Sequence, residues 1–284
     1  MYSRRDFGKV ALSAFPLAAA LAAKIDSRIH GVRIGAQTYS FRDLTLGGAI
    51  DAMKTIGLGQ CELFTGHVEP DLGRESLREW RLSTPMDYFQ SVRKKFDEAG
   101  IRPYAYTLNF KDDFTDEELD RGFQMSKALG TDLITTSTTL TCAPRLAPLA
   151  RKYKVRVALH GHDETSKPNE FSTPETFAKG LAMSPHFYIN LDIGHFFAAG
   201  FDPVAYIREN HKKILVLHIK DRKSNHGPNM PFGEGETPVK EVLRLMRDRK
   251  YPFPADIEYE YGKPGMDTVA EVKKCFEYCK EALE

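Results

Sequence analysis

Five polar residues recur at matching places in apolar segments, and they could share one chemistry. Glu62 sits in QCELF, His160 in VRVALH, Asp192 in FYINLDI, His218 in ILVLHIK and Glu258 in ADIEYE. Side chains alternate faces along a strand. Ile189, Leu191 and Ile193 therefore share one face, and Asn190 and Asp192 the other. Likewise Val155, Val157 and Leu159 oppose Arg156, Ala158 and His160, and Ala255, Ile257 and Tyr259 oppose Asp256, Glu258 and Glu260. A carboxylate taken out of water needs a cation, hydrogen bonds or water. His160, Asp192, His218 and Glu258 answer that need by holding one divalent metal. Mixed nitrogen and oxygen donors suit Zn, Mn, Co or Fe better than Ca.

Each residue also has a plainer reading. His160 and His218 could be buried neutral imidazoles bonded to backbone. Asp192 could form an ion pair with Lys220 or Arg222. Glu258 could pair with a lysine, leaving Glu260 as the working acid. Glu62, His67 and His162 stand close enough to serve as substrate contacts or as supports of the metal ligands. The convergence of four such residues at equivalent strand ends carries the metal reading over these.

The elements that would position them alternate along the chain. Strand-like runs at 33–41, 60–64, 102–110, 132–138, 155–160, 187–193, 214–220 and 255–260 are each followed by a helical stretch. Those stretches fall near 46–56, 85–99, 115–129, 143–153, 174–182, 202–211, 237–249 and 267–282. Strands alternating with helices imply a parallel sheet. Eight such pairs over residues 31–284 predict a single-domain α/β fold, the (β/α)8 TIM barrel, with a doubly wound open sheet as the second choice. In that barrel the site forms at the C-terminal ends of the strands, where the five polar residues fall. Ser and Thr caps followed by Pro mark helix starts in STPETFAKGL, and Asp202–Pro203 does so in FDPVAYI. The stretch 65–84, with the only tryptophan, Trp80, reads as a long binding loop.

The first residues read differently. Arg4 and Arg5, then Phe7, Lys9, an apolar run and small residues at Ala20–Ala22 have the form of a twin-arginine export signal over residues 1–23. The apolar run is short for a bilayer span, so no stable membrane anchor is expected. The reading places the enzyme in the periplasm or beyond. The net charge of +1 excludes the basic stripe of a nucleic-acid binder. Four cysteines without a CxxC do not demand a bridge. Composition admits a monomer or a homo-oligomer.

LDIGH (191–195), LHIKDR (217–222), GEG (233–235) and IEYE (257–260) follow one another in an order that resembles the xylose isomerase-like superfamily of sugar isomerases and epimerases. That superfamily also holds endonuclease IV and inosose dehydratase relatives. The resemblance implies one divalent metal on His160, Asp192, His218 and Glu258. It implies that His195 contacts a substrate hydroxyl and that Arg222 binds substrate, with Lys220 at the same mouth. The substrate would be a sugar or keto-sugar, isomerised through an enediolate with Glu258 or Glu260 as base. The chain departs from the epimerases at His160, where they carry a second metal-bound glutamate. A metal-bound imidazole does not replace that base, which favours isomerisation or β-elimination over transfer between faces. A 3-keto-glycoside lyase or hydratase on the same site is the alternative, and a catalytically silent sugar-binding barrel is a third class.

Overall fold

The computed structural model describes residues 23–284, and eight of its strands close into a parallel barrel. We number them β1 (Val32–Gln37), β2 (Gln60–Phe64), β3 (Arg102–Thr107), β4 (Leu133–Thr136), β5 (Arg156–His160), β6 (Phe187–Asp192), β7 (Ile214–Ile219) and β8 (Ala255–Ile257). Each pairs in parallel with the next, and β8 returns to β1. Closure rules out the open sheet. All but the last residue of the expected leader lies outside the described residues. Among the described residues no helix is long and apolar enough to cross a membrane.

The helices begin where short polar side chains can accept their first free N–H groups. Thr45, Thr115, Thr173, Asp202 and Asp267 each do so. The apolar strand faces pack outward against these helices. Ile34, Cys61, Leu63, Ile189, Leu191, Leu217, Ile219, Ala255 and Ile257 are all buried there. The four cysteines are buried free thiols.

One expected loop is partly a helix. Residues 65–84 contain a short turn at Thr65–His67 and a helix at Arg74–Ser83. That helix is docked by charge rather than by an apolar stripe. Arg74 and Arg81 both pair with the buried Glu118, and Arg81 also pairs with Glu69. Trp80 meets Tyr88 and Phe89 edge-on, packing the helix onto its neighbour.

Inside the barrel, the lower half is filled by a small apolar cluster of Ala105, Leu133, Ala158 and Val216. Asp256 is fully buried, and the Tyr104 hydroxyl donates to it. Burial, then the charge of Glu62, pushes the Asp256 carboxyl up to about 8. The folded state thus binds this proton more tightly than the unfolded chain does. Its stabilising effect is full below the ordinary carboxylate range and is lost as pH rises through 8. Asp256→Asn should remove that loss. Urea unfolding from about pH 5 to about pH 9 should show wild type losing up to about 4 kcal/mol more than the variant. Parallel slopes for the two proteins would contradict a buried neutral Asp256.

Candidate metal centre and active site

β5 ends on His160, β6 ends on Asp192, β7 carries His218, and Glu258 follows directly on β8. Asp192 and His218 are register partners across two strands. One donor atom from each of these four buried residues lies within 4.8 Å of the others. His160 Nδ1, Asp192 Oδ2, His218 Nδ1 and Glu258 Oε2 are buried and have no hydrogen-bond partner. Buried polar atoms are nearly always partnered. Four orphans, one per residue, around one point form a set able to hold a divalent cation. Their two nitrogens and two oxygens fit Zn, Mn, Co or Fe.

Glu62 lies one layer below. Of its two expected roles, substrate contact or support of the metal ligands, its position fits the second: it is sealed from solvent and both its oxygens are taken. Oε1 accepts from Gln37 Nε2 and, at 2.7 Å each, from the Thr107 and Thr135 hydroxyls. Oε2 faces His218 Nε2 at 3.0 Å and Asn190 Nδ2 at 3.3 Å. Accepting from Nε2–H leaves the Nδ1 of His218 turned to the cluster, the arrangement that orients metal-binding imidazoles. Burial alone would pull the His218 pKa down, yet Glu258 and Glu62 on its two sides hold it well above the usual value. His67 is also structural: its nitrogens face the Thr38 hydroxyl and the Phe41 carbonyl, each at 3.1 Å.

Lys220 is the cation of the mouth. Its Nζ is 2.9 Å from Asp192 Oδ2, 2.9 Å from Glu258 Oε2 and 2.6 Å from Glu260 Oε2. Burial opposes the charge, but these three carboxylates outweigh it and hold the ammonium protonated. The Asp192–Lys220 pair therefore exists beside the four-residue set. The Asp192 and Glu258 oxygens in the donor set are thus the ones that Lys220 faces as ion pairs. Glu260 is more open than Glu258 and stands outside the four-residue set.

The D-x-x-H spacing is a helix cap. Asp192 Oδ1 accepts the His195 N–H at 2.8 Å and starts the helix Ile193–Ala198, which brings His195 over the cluster. Lys220 Nζ points at His195 Nε2 from 3.0 Å, so Nε2 must accept. The proton then sits on Nδ1, which donates to Asp163 Oδ1 at 3.1 Å. Arg222 Nη1 lies 2.6 Å from the same Nδ1 and 2.9 Å from Asp163 Oδ1. Two donors cannot share a bond, so the pair with the carboxylate is the attractive contact. His195 and then Arg222 hold the Asp163 carboxyl far below the usual range. Asp163 was missed in the sequence. Its one signal was its place three residues past His160.

His162 lies at the same mouth, 5.2 Å from His195 between ring centroids. Burial, then His195 and Lys220, lower its pKa to about 4, so it is a neutral imidazole. Gly161 separates the two histidines because the Phe171 carbonyl would lie 2.0 Å from a Cβ there. His160, His162, Asp192, His195, His218, Lys220, Arg222, Glu258 and Glu260 thus gather at one strand-end mouth, and Glu62 supports them from beneath. Glu62→Ala would strand several buried donors and should cost about 3 kcal/mol or more in urea unfolding, with Glu62→Gln milder. Equal stability of the alanine variant and wild type would contradict this support role.

Comparison with known proteins agrees with this fold. A family model for the xylose isomerase-like TIM barrel matches residues 50–281. The L-ribulose-5-phosphate 3-epimerase UlaE of Escherichia coli is 30% identical over 100 residues, 35% of this chain and 35% of that protein. The match thus spans about a third of that relative's length. A solved, uncharacterised protein from Parabacteroides distasonis is 25% identical with a TM-score of 0.63, covering 88% of this chain and 99% of that one. A xylose isomerase domain protein from Salmonella typhimurium aligns with a TM-score of 0.69 at 12% identity, covering 90% and 98%. The probable 3-DHS dehydratase AsbF of Bacillus anthracis aligns at 0.66 and 16% identity, covering 87% and 99%.

Proposed function

The chain belongs to the xylose isomerase-like TIM barrel family, and from that premise we propose that it is a metal-dependent enzyme of the sugar isomerase/epimerase type. The observation that carries this reading is the set of four unpartnered donor atoms at the barrel mouth. His160, Asp192, His218 and Glu258 would hold the ion. A divalent ion bound there polarises a carbonyl or hydroxyl oxygen and makes the neighbouring C–H more acidic. Glu260, free of the ligand set, takes that proton to form the enediolate. Lys220, kept protonated beside it, donates a hydrogen bond to the sugar oxygen on which negative charge develops. His195 and Arg222, locked by Asp163, anchor hydroxyl groups, and His162 lines the mouth as a neutral donor or acceptor.

One carboxylate base serves one face of the substrate. His160 stands where the resemblance places a second glutamate. This favours aldose–ketose interconversion over transfer of a proton from face to face. It also favours a second reading, β-elimination from a 3-keto-glycoside, in which the Lys220 ammonium protonates the leaving oxygen. Export by the twin-arginine route rests on Arg4, Arg5 and the apolar run after them.

Purified protein should carry one equivalent of a divalent metal by elemental analysis, and Asp192→Asn should lose it. In heavy water, a panel of ketoses and aldoses should exchange one carbon-bound proton, and chelation should stop the exchange. Glu260→Gln should slow exchange about 100-fold or more while keeping its metal. Full activity after chelation would refute the proposal. Aglycone release from a 3-keto-glycoside without interconversion of free sugars would select the second reading.

A further inference from the structure

Asp221 follows Lys220 above β7, and its carboxylate lies under the loop 231–237 that follows this strand. Oδ2 accepts the N–H of Gly233 at 2.8 Å and of Gly235 at 3.0 Å, and Oδ1 accepts the N–H of Thr237 at 3.1 Å. Amides gathered in this way form a concave nest for an anion. The fit is tight, since a Cβ on Gly235 would lie 2.0 Å from Asp221 Oδ1. In (β/α)8 barrels a phosphate is frequently held by the loops after the seventh and eighth strands. Here the amides of the seventh-strand loop are already committed to the chain's own carboxylate.

The side-chain cations are committed as well. Lys220 faces Asp192, Glu258 and Glu260. Arg222 pairs with Asp163 and gives Nε and Nη2 to the Gly227 carbonyl. Lys223 stands 3.6 Å from Glu236, and Lys111 donates to the Ser137 carbonyl. Arg42 and Lys263 are exposed, where salt screens them. Two buried cations at the mouth thus meet four carboxylates: Asp163, Asp192, Glu258 and Glu260. With His218 neutral as a ligand, a divalent ion in the set would bring that balance to neutrality and leave no surplus for a dianion.

We infer that the substrate is an uncharged sugar rather than a sugar phosphate: Asp221 fills the amide nest a phosphate would take, and the mouth's cations are matched by its own carboxylates. This inference rests on the proposed reading of the site as a metal-dependent sugar centre. It sets the chain apart from the phosphosugar named for its Escherichia coli relative.

The test uses the metal-loaded full chain and paired probes: L-ribulose with L-ribulose 5-phosphate, and D-fructose with D-fructose 6-phosphate. Calorimetric binding and turnover should favour the neutral member of a pair by about tenfold or more. Inorganic phosphate should not compete. Asp221→Ala, where folded by circular dichroism, should gain about tenfold in affinity for inorganic phosphate. A tenfold preference for the phosphorylated member, or competitive inhibition of wild type by inorganic phosphate, overturns the inference. Phosphate preference with turnover that chelation abolishes leaves the metal-dependent reading standing. Neutral preference with turnover that survives chelation does the reverse. Binding of neither member of either pair overturns both.

Discussion

Five carboxyl groups, those of Glu62, Asp192, Asp221, Asp256 and Glu258, lie nine-tenths or more out of water in or just above the barrel. A carboxylate in that setting has to be protonated, hydrogen-bonded or paired. The barrel uses a different answer at each level. Asp256, deepest, is pushed up to about 8 and is neutral over most of the pH range. Glu62, in the middle, is ringed by neutral donors and an imidazole. Asp192 and Glu258, at the top, face Lys220 and the unpartnered nitrogens of His160 and His218. Asp221 is satisfied by backbone amides alone. The top level is the one where unpartnered atoms of four residues converge within 4.8 Å of one another.

Two imidazoles link these levels in the same way. His218 sits between Glu62 below and Glu258 beside it. His195 sits between Asp163 and Lys220. In each, one ring nitrogen is tied to a carboxylate outside the reacting centre, and the other is presented to the mouth. A tied nitrogen fixes tautomer and ring angle together. The orientation of the site is therefore set from behind, by Glu62 and Asp163.

Much of this was legible in the chain before any fold was known. Alternation of apolar and polar residues placed Asp192, His218 and Glu258 on interior faces, because a barrel strand has two chemically opposite sides. The caps Thr173 and Asp202 set helix starts for local reasons, so those boundaries also read correctly. The Arg74–Ser83 helix was not legible, since its docking face is arginine and its partners Glu69 and Glu118 are distant in sequence. Asp163 was hidden for the same reason: its contacts are with His195 and Arg222, on segments distant in sequence. Glu62 was seen but placed too high, because alternation shows which face a residue takes and not how deep in the barrel it lies.

His160 can be understood through the same charge logic. A glutamate there would add one more carboxylate to a mouth that already has four against Lys220, Arg222 and the ion its donor set could hold. Forming an enediolate adds negative charge to the substrate, and a net negative site opposes that step. A neutral imidazole keeps the donor atom and removes the charge. With an ion in the donor set the mouth would begin near neutrality, and in the proposed reaction the Lys220 ammonium would face the charge developing on the sugar. What the chain gives up is a second base. In the proposed reaction, a histidine at this place would confine proton transfer to one face while easing the build-up of charge on the substrate.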